Sequence, residues 1–139
     1  MGILEVVGRQ AAEPLTVLVA DDEEDMRVLV RRILSSYGIK VVEEAIDGAE
    51  ALSAIDRRDP PQIPSVLVLD NRLPALSGLE VAAQVLGRLP GQRIILFSAF
   101  LTPEIEAHAK AIGIRACLSK DDVARLPTVI AELAAPSSP

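Results

Sequence analysis

Asp21-Asp22, Asp70, Ser98 and Ser119-Lys120 each stand at or directly after the end of a short aliphatic run. Gathered in one place, they would set three carboxylates, a hydroxyl and an ammonium around a single crevice. Three hard oxygen ligands suit Mg²⁺, and Mn²⁺ as well. Three carboxylates repel one another without a cation, and a metal together with Lys120 would neutralise them. A carboxylate beside a metal and an amine can act as a nucleophile toward phosphorus, forming an aspartyl phosphate. The metal, the hydroxyl and the amine would then bind the phosphoryl oxygens as charge redistributes.

Such a gathering requires elements that end side by side. Aliphatic runs at residues 16–20, 41–45, 65–69, 93–98 and 116–118 predict strands, and helical patterns lie between them. Met26, Leu29, Val30, Ile33, Leu34 and Tyr37 follow the i, i+3, i+4, i+7 rule, as do Leu79, Ala82, Ala83 and Leu86, and Leu126, Val129, Ile130 and Leu133. The boundary signals agree. Gly38 closes the first helix. Asp47 with Glu50, and Ser77 with Glu80, have capping-box spacing. Thr102-Pro103-Glu104 reads as an N-cap, a proline at the first helical position and an acid in the first turn. Pro127 opens the last helix or interrupts the chain just before it.

Strands alternating with helices predict an α/β fold with a parallel sheet covered on both faces. The first, third and fourth strands are continuously apolar, as strands buried on both sides are. The second, Lys40-Val41-Val42-Glu43-Glu44, is more polar and suits an edge. In an open parallel sheet, ligands collect beyond the carboxyl ends of the strands, which is where the acids, the hydroxyl and the lysine fall. Residues 59–64, with three prolines, form a stiff loop. The expected organisation is one domain over 15–135, with tails at 1–14 and 136–139.

Composition excludes several classes of function. Hydrophobic residues make up 50% of the 139 and aromatics 2%, so the core must be built from Val, Ile, Leu and Ala. Asp and Glu number 20 against 14 Lys and Arg, a net charge of −6, which argues against nucleic-acid binding. One cysteine, Cys117, and one histidine, His108, leave no disulfide framework, multi-cysteine zinc site or Ser-His-Asp triad. No basic n-region followed by a long apolar stretch marks an export signal. Val6 stands where myristoylation after Gly2 needs Ser or Thr. The longest nearly apolar run, 94–101, is too short for a bilayer. The expected setting is cytoplasmic, with no membrane partner.

With these residues in view, the chain resembles a response-regulator receiver domain of two-component signalling. The likeness covers roughly residues 15–133. It is carried by Asp21-Asp22, by Asp70 in Val-Leu-Val-Leu-Asp-Asn-Arg-Leu-Pro with Gly78 after it, by Ser98 in Ile-Ile-Leu-Phe-Ser-Ala, and by Lys120 after Ala-Cys-Leu-Ser. The resemblance implies a doubly wound five-stranded parallel sheet, (βα)5, of strand order 2-1-3-4-5 with helices on both faces. It implies that Asp70 accepts phosphate from a histidine kinase or a histidine phosphotransfer protein. Asp22 and Asp70 would ligate Mg²⁺ directly, Asp21 largely through water, and the backbone carbonyl of Arg72 would complete the protein ligands. Ser98 and Lys120 would contact the phosphoryl group. A downstream protein partner would read the fourth helix, fifth strand and fifth helix. The chain would signal without an output domain of its own, as a monomer or weak homodimer, and would turn over no external substrate.

Three positions depart from the family pattern. Asp121, not proline, follows Lys120, so the turn there must be built differently. Cys117 stands where receivers usually carry the Tyr or Phe that swings inward on phosphorylation. Arg72 and Phe100, two residues beyond Asp70 and Ser98, flank the phosphate's approach, where a cation and a ring could gate water or the phosphodonor. Cys117 also favours the alternative reading, a pseudo-receiver that binds a partner without phosphorylation. The intact set of Asp21, Asp22, Asp70, Ser98 and Lys120 disfavours it. A small aspartyl-phosphate phosphatase would need a second carboxylate where Arg72 stands.

Overall fold

Five parallel strands form one sheet in the order β2-β1-β3-β4-β5. They are β1 (Thr16–Ala20), β2 (Lys40–Ala45), β3 (Val66–Leu69), β4 (Arg93–Ser98) and β5 (Ala116–Ser119). The computed structural model describes residues 14–135; the expected tails, apart from Pro14, lie outside the described residues. The helices between and after the strands are α1 (Glu24–Ser35), α2 (Gly48–Asp56), α3 (Gly78–Arg88), α4 (Pro103–Ile112) and α5 (Leu126–Ala134). The expected α/β architecture and strand order are both observed. No helix of the described residues is long and apolar enough to cross a membrane.

Alternation along the strands divides the core in two, because successive side chains leave opposite faces of a sheet. Val17, Val19, Val66, Val68, Ile95 and Phe97 face Val30 and Leu34 of α1 and Leu126 and Ile130 of α5. Leu18, Leu67, Leu69, Ile94 and Leu96 face the side covered by α2, α3 and α4. Phe97 is the one buried aromatic among the described residues, so the core is aliphatic, as the composition requires.

Edge strand β2 is held differently. Its register against β1 slips between Val17 and Leu18, which pair with Val41 and Glu43. The next two side chains then leave on opposite faces, each with arginines. Glu43 meets Arg58 at 2.8 Å and Arg57 at 3.5 Å. Glu44 meets Arg31 at 2.6 Å and Arg27 at 3.2 Å.

Helix ends follow the local chemistry. Ser77 and Glu80 make a complete capping box on α3. Thr102 Oγ1 accepts from the Ile105 N–H at 3.2 Å, with Pro103 opening α4. Asp47 caps α2 through the Glu50 N–H at 2.7 Å, but Glu50 returns to the Ile46 N–H, so only half of the expected box forms. Gly38 at φ 74° lets the chain leave α1 with the Ile39 N–H donating back to the Leu34 carbonyl at 3.0 Å, a left-handed closure that a Cβ would strain.

Candidate functional site

Two carboxylates are fixed by continuation of the strand ladder. Asp21 directly follows β1, and its N–H donates to the Ala45 carbonyl at 3.0 Å; Asp70 follows β3, and its N–H donates to the Ala20 carbonyl at 2.9 Å. Their places at the carboxyl ends of adjacent strands bring them together, 2% and 5% exposed. Lys120, directly after β5, reaches both. Its Nζ lies 2.7 Å from Asp21 Oδ2, 2.8 Å from Asp70 Oδ2 and 3.1 Å from Glu23 Oε1.

The other carboxylate oxygens are tied to main chain. Asp21 Oδ1 accepts from the Glu23 N–H at 2.9 Å, and Asp70 Oδ1 from the Arg72 N–H at 3.2 Å. Asp21 Oδ2 is buried, and its partner is the Lys120 ammonium 2.7 Å away. Burial pushes the Asp21 carboxyl above its ordinary range; Lys120 and the Glu23 N–H pull it down, Asp70 pushes it further up, and the net is upward. Burial alone would make Lys120 easier to deprotonate, but its contacts with Asp21, Asp70 and Glu23 outweigh this and hold it protonated well above the lysine range.

Asp21, Asp22, Glu23 and Asp70 each offer an oxygen within 4.8 Å of the others. Hard oxygen donors of this kind, two of them on buried carboxylates, fit a small divalent cation. The cluster is of the type that holds Mg²⁺ in receiver domains. Asp22 and Glu23 are exposed and give the group an open side. Glu23 is a member that sequence reasoning passed over, because it reads as one more acid at a helix start.

Ser98 closes β4 at 1% exposure, and its Oγ accepts from the Phe100 N–H at 3.3 Å, leaving its own proton free to donate. The Arg72 guanidinium lies over the Phe100 ring, 3.7 Å from its centroid. Cys117 lies in β5, half-buried, against the apolar cluster beneath α2, α3 and α4. Burial, with Glu106 nearby, pushes its thiol upward, which keeps it a small packing residue rather than a thiolate. After Lys120 the chain enters a 3₁₀ segment, Lys120–Arg125, opened by Ser119 Oγ accepting from the Asp121 N–H at 3.1 Å. That is how the turn is built without proline.

Asn71 also escaped the sequence reading. Its Oδ1 accepts from the Leu79 N–H at 3.2 Å, and its carbonyl from the Gly78 N–H at 3.1 Å, tying the chain beyond Asp70 to the start of α3.

The family model for the response regulator receiver domain matches residues 17–131. The Probable transcriptional regulatory protein NarL of Mycobacterium tuberculosis is 39% identical over 110 residues, which are 78% of this chain and 49% of that protein. Chemotaxis protein CheY of Listeria monocytogenes is 33% identical over 85 residues, 61% of this chain and 68% of that one. The solved signal receiver domain of NarL from Mycobacterium tuberculosis superposes with a TM-score of 0.79 at 35% identity, covering 88% of this chain and 97% of its own. The chain thus spans about half of the NarL relative, and only 22% of another curated relative's length. With the family's fold, and its acidic pocket facing a lysine at the carboxyl ends of the strands, the chain belongs to the response regulator receiver domain family.

Proposed function

We propose that Asp70 accepts a phosphoryl group from a histidine kinase or a histidine phosphotransfer protein. Mg²⁺ would be held by Asp21, Asp22, Asp70 and the backbone carbonyl of Arg72, with Mn²⁺ as a substitute. The observation that carries this reading is the buried Asp70 carboxylate sharing Lys120 with the buried Asp21. When bound, the metal supplies charge neutralisation for the phosphoryl oxygens.

The chain's own residues supply the rest. An Asp70 carboxylate oxygen forms the new P–O bond as the P–N bond of the donor's phosphohistidine breaks, and the imidazole leaves with the bonding electron pair. Lys120, protonated at any physiological pH, and the Ser98 hydroxyl donate to the phosphoryl oxygens as charge shifts onto them. Hydrolysis of the aspartyl phosphate by water resets the site, so the domain catalyses its own cycle and turns over no external substrate. Output passes to a downstream protein at the face formed by α4, β5 and α5, in a cytoplasmic setting.

The pseudo-receiver reading is favoured by one observation. Cys117 carries no ring to move and is already packed in the apolar cluster. Acetyl phosphate separates the two. Wild type with Mg²⁺ is expected to gain one phosphoryl mass as an acid-stable, base-labile adduct, and Asp70→Asn to gain none. No adduct on wild type, despite Mg²⁺ binding, favours the pseudo-receiver; an adduct surviving in Asp70→Asn removes Asp70 as the acceptor.

Arg72 and Phe100 gate the same site in this reading. Phe100 is 53% exposed, and its ring backs the Arg72 guanidinium. An exposed cation–π contact is worth about 0.5–1 kcal/mol. Arg72→Ala or Phe100→Ala is therefore expected to raise both the acetyl phosphate labelling rate and the hydrolysis rate about two- to fivefold. Unchanged rates in both variants would remove the gate.

A further inference from the structure

Asp21 is held on both sides of its backbone by one dipeptide of the edge strand. Its N–H donates directly to the Ala45 carbonyl at 3.0 Å. Its own carbonyl accepts from Arg27 Nη1 at 2.8 Å. Arg27 sits in α1, where its N–H donates to the Glu23 carbonyl at 3.1 Å, and its Nε donates to Glu44 Oε1 at 3.2 Å. The second oxygen of Glu44 takes Arg31 at 2.6 Å. Glu44 and Ala45 are neighbours on β2, so one fixes the Asp21 carbonyl through a guanidinium while the other fixes the N–H.

This is more than a surface ion pair. The Arg27 side chain is only 13% exposed, and one arm of it serves a main-chain oxygen. A planar guanidinium can hold a carbonyl and a carboxylate at once in fixed geometry, which a lysine ammonium on a flexible stem cannot do as well. The residue it holds carries the more deeply buried of the pocket's two enclosed carboxylates.

We propose that Arg27 is a positioning residue for divalent-cation binding: it fixes the Asp21 peptide and thereby the aim of the Asp21 carboxylate, and Glu44 keeps Arg27 extended for that task. The inference rests on Asp21 taking part in Mg²⁺ binding, as proposed above. Its sign separates it from a simple charge effect. A cation acting only through its field opposes Mg²⁺, so its removal would tighten binding. A positioning residue gives the reverse, and partners that orient metal ligands typically contribute about 10–100-fold in affinity.

Mg²⁺ titration by calorimetry on the whole chain tests this, using wild type, Arg27→Gln, Arg27→Lys, Glu44→Gln and Asp21→Asn. Arg27→Gln is expected to raise the Mg²⁺ Kd about tenfold, with Arg27→Lys between it and wild type. Glu44→Gln leaves Arg27 in the chain and replaces a half-buried carboxylate by its isostere, so it keeps the fold should Arg27→Gln lose it; a smaller rise in Kd is expected. In acetyl phosphate labelling, the Mg²⁺ concentration for half-maximal rate should rise by the same factors, with the rate at saturating Mg²⁺ recovered. Arg88→Gln, which breaks the Arg88–Asp56 pair far from the site, should leave the Kd unchanged. An Arg27→Gln Kd equal to or tighter than wild type, or a Glu44→Gln Kd unchanged, overturns the inference. Wild type and Asp21→Asn binding Mg²⁺ equally would instead show that the site reading beneath it fails, and this inference with it.

Discussion

Replacing Lys120 with methionine is expected to slow phosphoryl uptake from acetyl phosphate about a hundredfold, the usual scale for losing one donor to developing charge, while tightening Mg²⁺ binding. The two effects have one origin. Lys120 Nζ lies within 3.1 Å of three carboxylates, Asp21, Asp70 and Glu23. It would compete with a cation for these carboxylates, yet it is also the proposed donor to a phosphoryl oxygen. Methionine keeps the length of the stem and removes the charge. Two carboxylates that are almost fully buried then lose their ammonium, and breaking a buried pair by removing one partner costs about 3 kcal/mol or more.

The pH dependence of that loss has a definite sign. The Lys120 proton is held more tightly in the native chain than in the unfolded one, so its stabilisation is complete below the ordinary lysine value of 10.5 and fades only as pH rises through the native value. Asp21 has the same pH sign in a lower window, for the opposite reason: burial penalises its charged form. Its native value is raised above 3.8, so the native state binds more protons in that window, and stability falls as pH rises through it. Without Lys120 the window widens. The stability deficit of Lys120→Met, read from urea unfolding at several pH values, should therefore shrink on acidification and also shrink when Mg²⁺ is added. A labelling rate within a fewfold of wild type would remove Lys120 from the chemistry.

The parts of this protein that were legible in its sequence are those fixed by local rules. Runs of aliphatic residues marked β1 and β4 to the residue, because both strands are buried on both faces and the apolar run breaks off at a polar residue in each. β5 runs one residue longer than expected, to Ser119, since parallel pairing of Ser98 with Ser119 continues past the apolar run. Ser77 and Glu80 were legible as a box. Asp47 and Glu50, with the same spacing, were not, because Glu50 has a competing donor in the Ile46 N–H. At the site, Asp21, Asp70 and Lys120 converge because each follows a strand directly, and the strand order does the rest. Arg27 gave no signal at all. Its role depends on β2 lying beside β1, which brings Glu44 to a helix seventeen positions earlier in the chain. Cys117 was legible both as an exception to the family pattern and, being small and apolar, as a packing residue, and it packs against the buried cluster.

Gly78→Ala carries the other large expected effect, and its companion on the same helix makes the sign informative. A Cβ at Gly78 would stand 2.3 Å from the Asp70 carbonyl oxygen, 2.9 Å from its carbon and 3.0 Å from Asn71 Cα. All three are main-chain atoms, so no side-chain rotation relieves the clash. The helix start rests directly on the peptide that carries Asp70, joined to it by the Gly78 N–H donating to the Asn71 carbonyl at 3.1 Å. Helix propensity favours alanine over glycine by about 1 kcal/mol, so destabilisation appears only if steric displacement exceeds that gain. Overpacking a tight site costs about 1–3 kcal/mol; with main-chain atoms in the way the cost falls at about 3, and after the propensity gain the net expected loss is about 2 kcal/mol. Relief must come from a shift of Asp70 or of α3, and a displacement near 1 Å at a reacting group costs about a hundredfold in rate. At Gly87, late in α3, a Cβ meets nothing within 4 Å. Gly87→Ala should stabilise the domain by about 1 kcal/mol and leave labelling unchanged. Urea unfolding and acetyl phosphate labelling of the two variants should therefore diverge in both readouts. Equal stabilities would mean that α3 does not seat on the Asp70 peptide as tightly as the 2.3 Å approach requires.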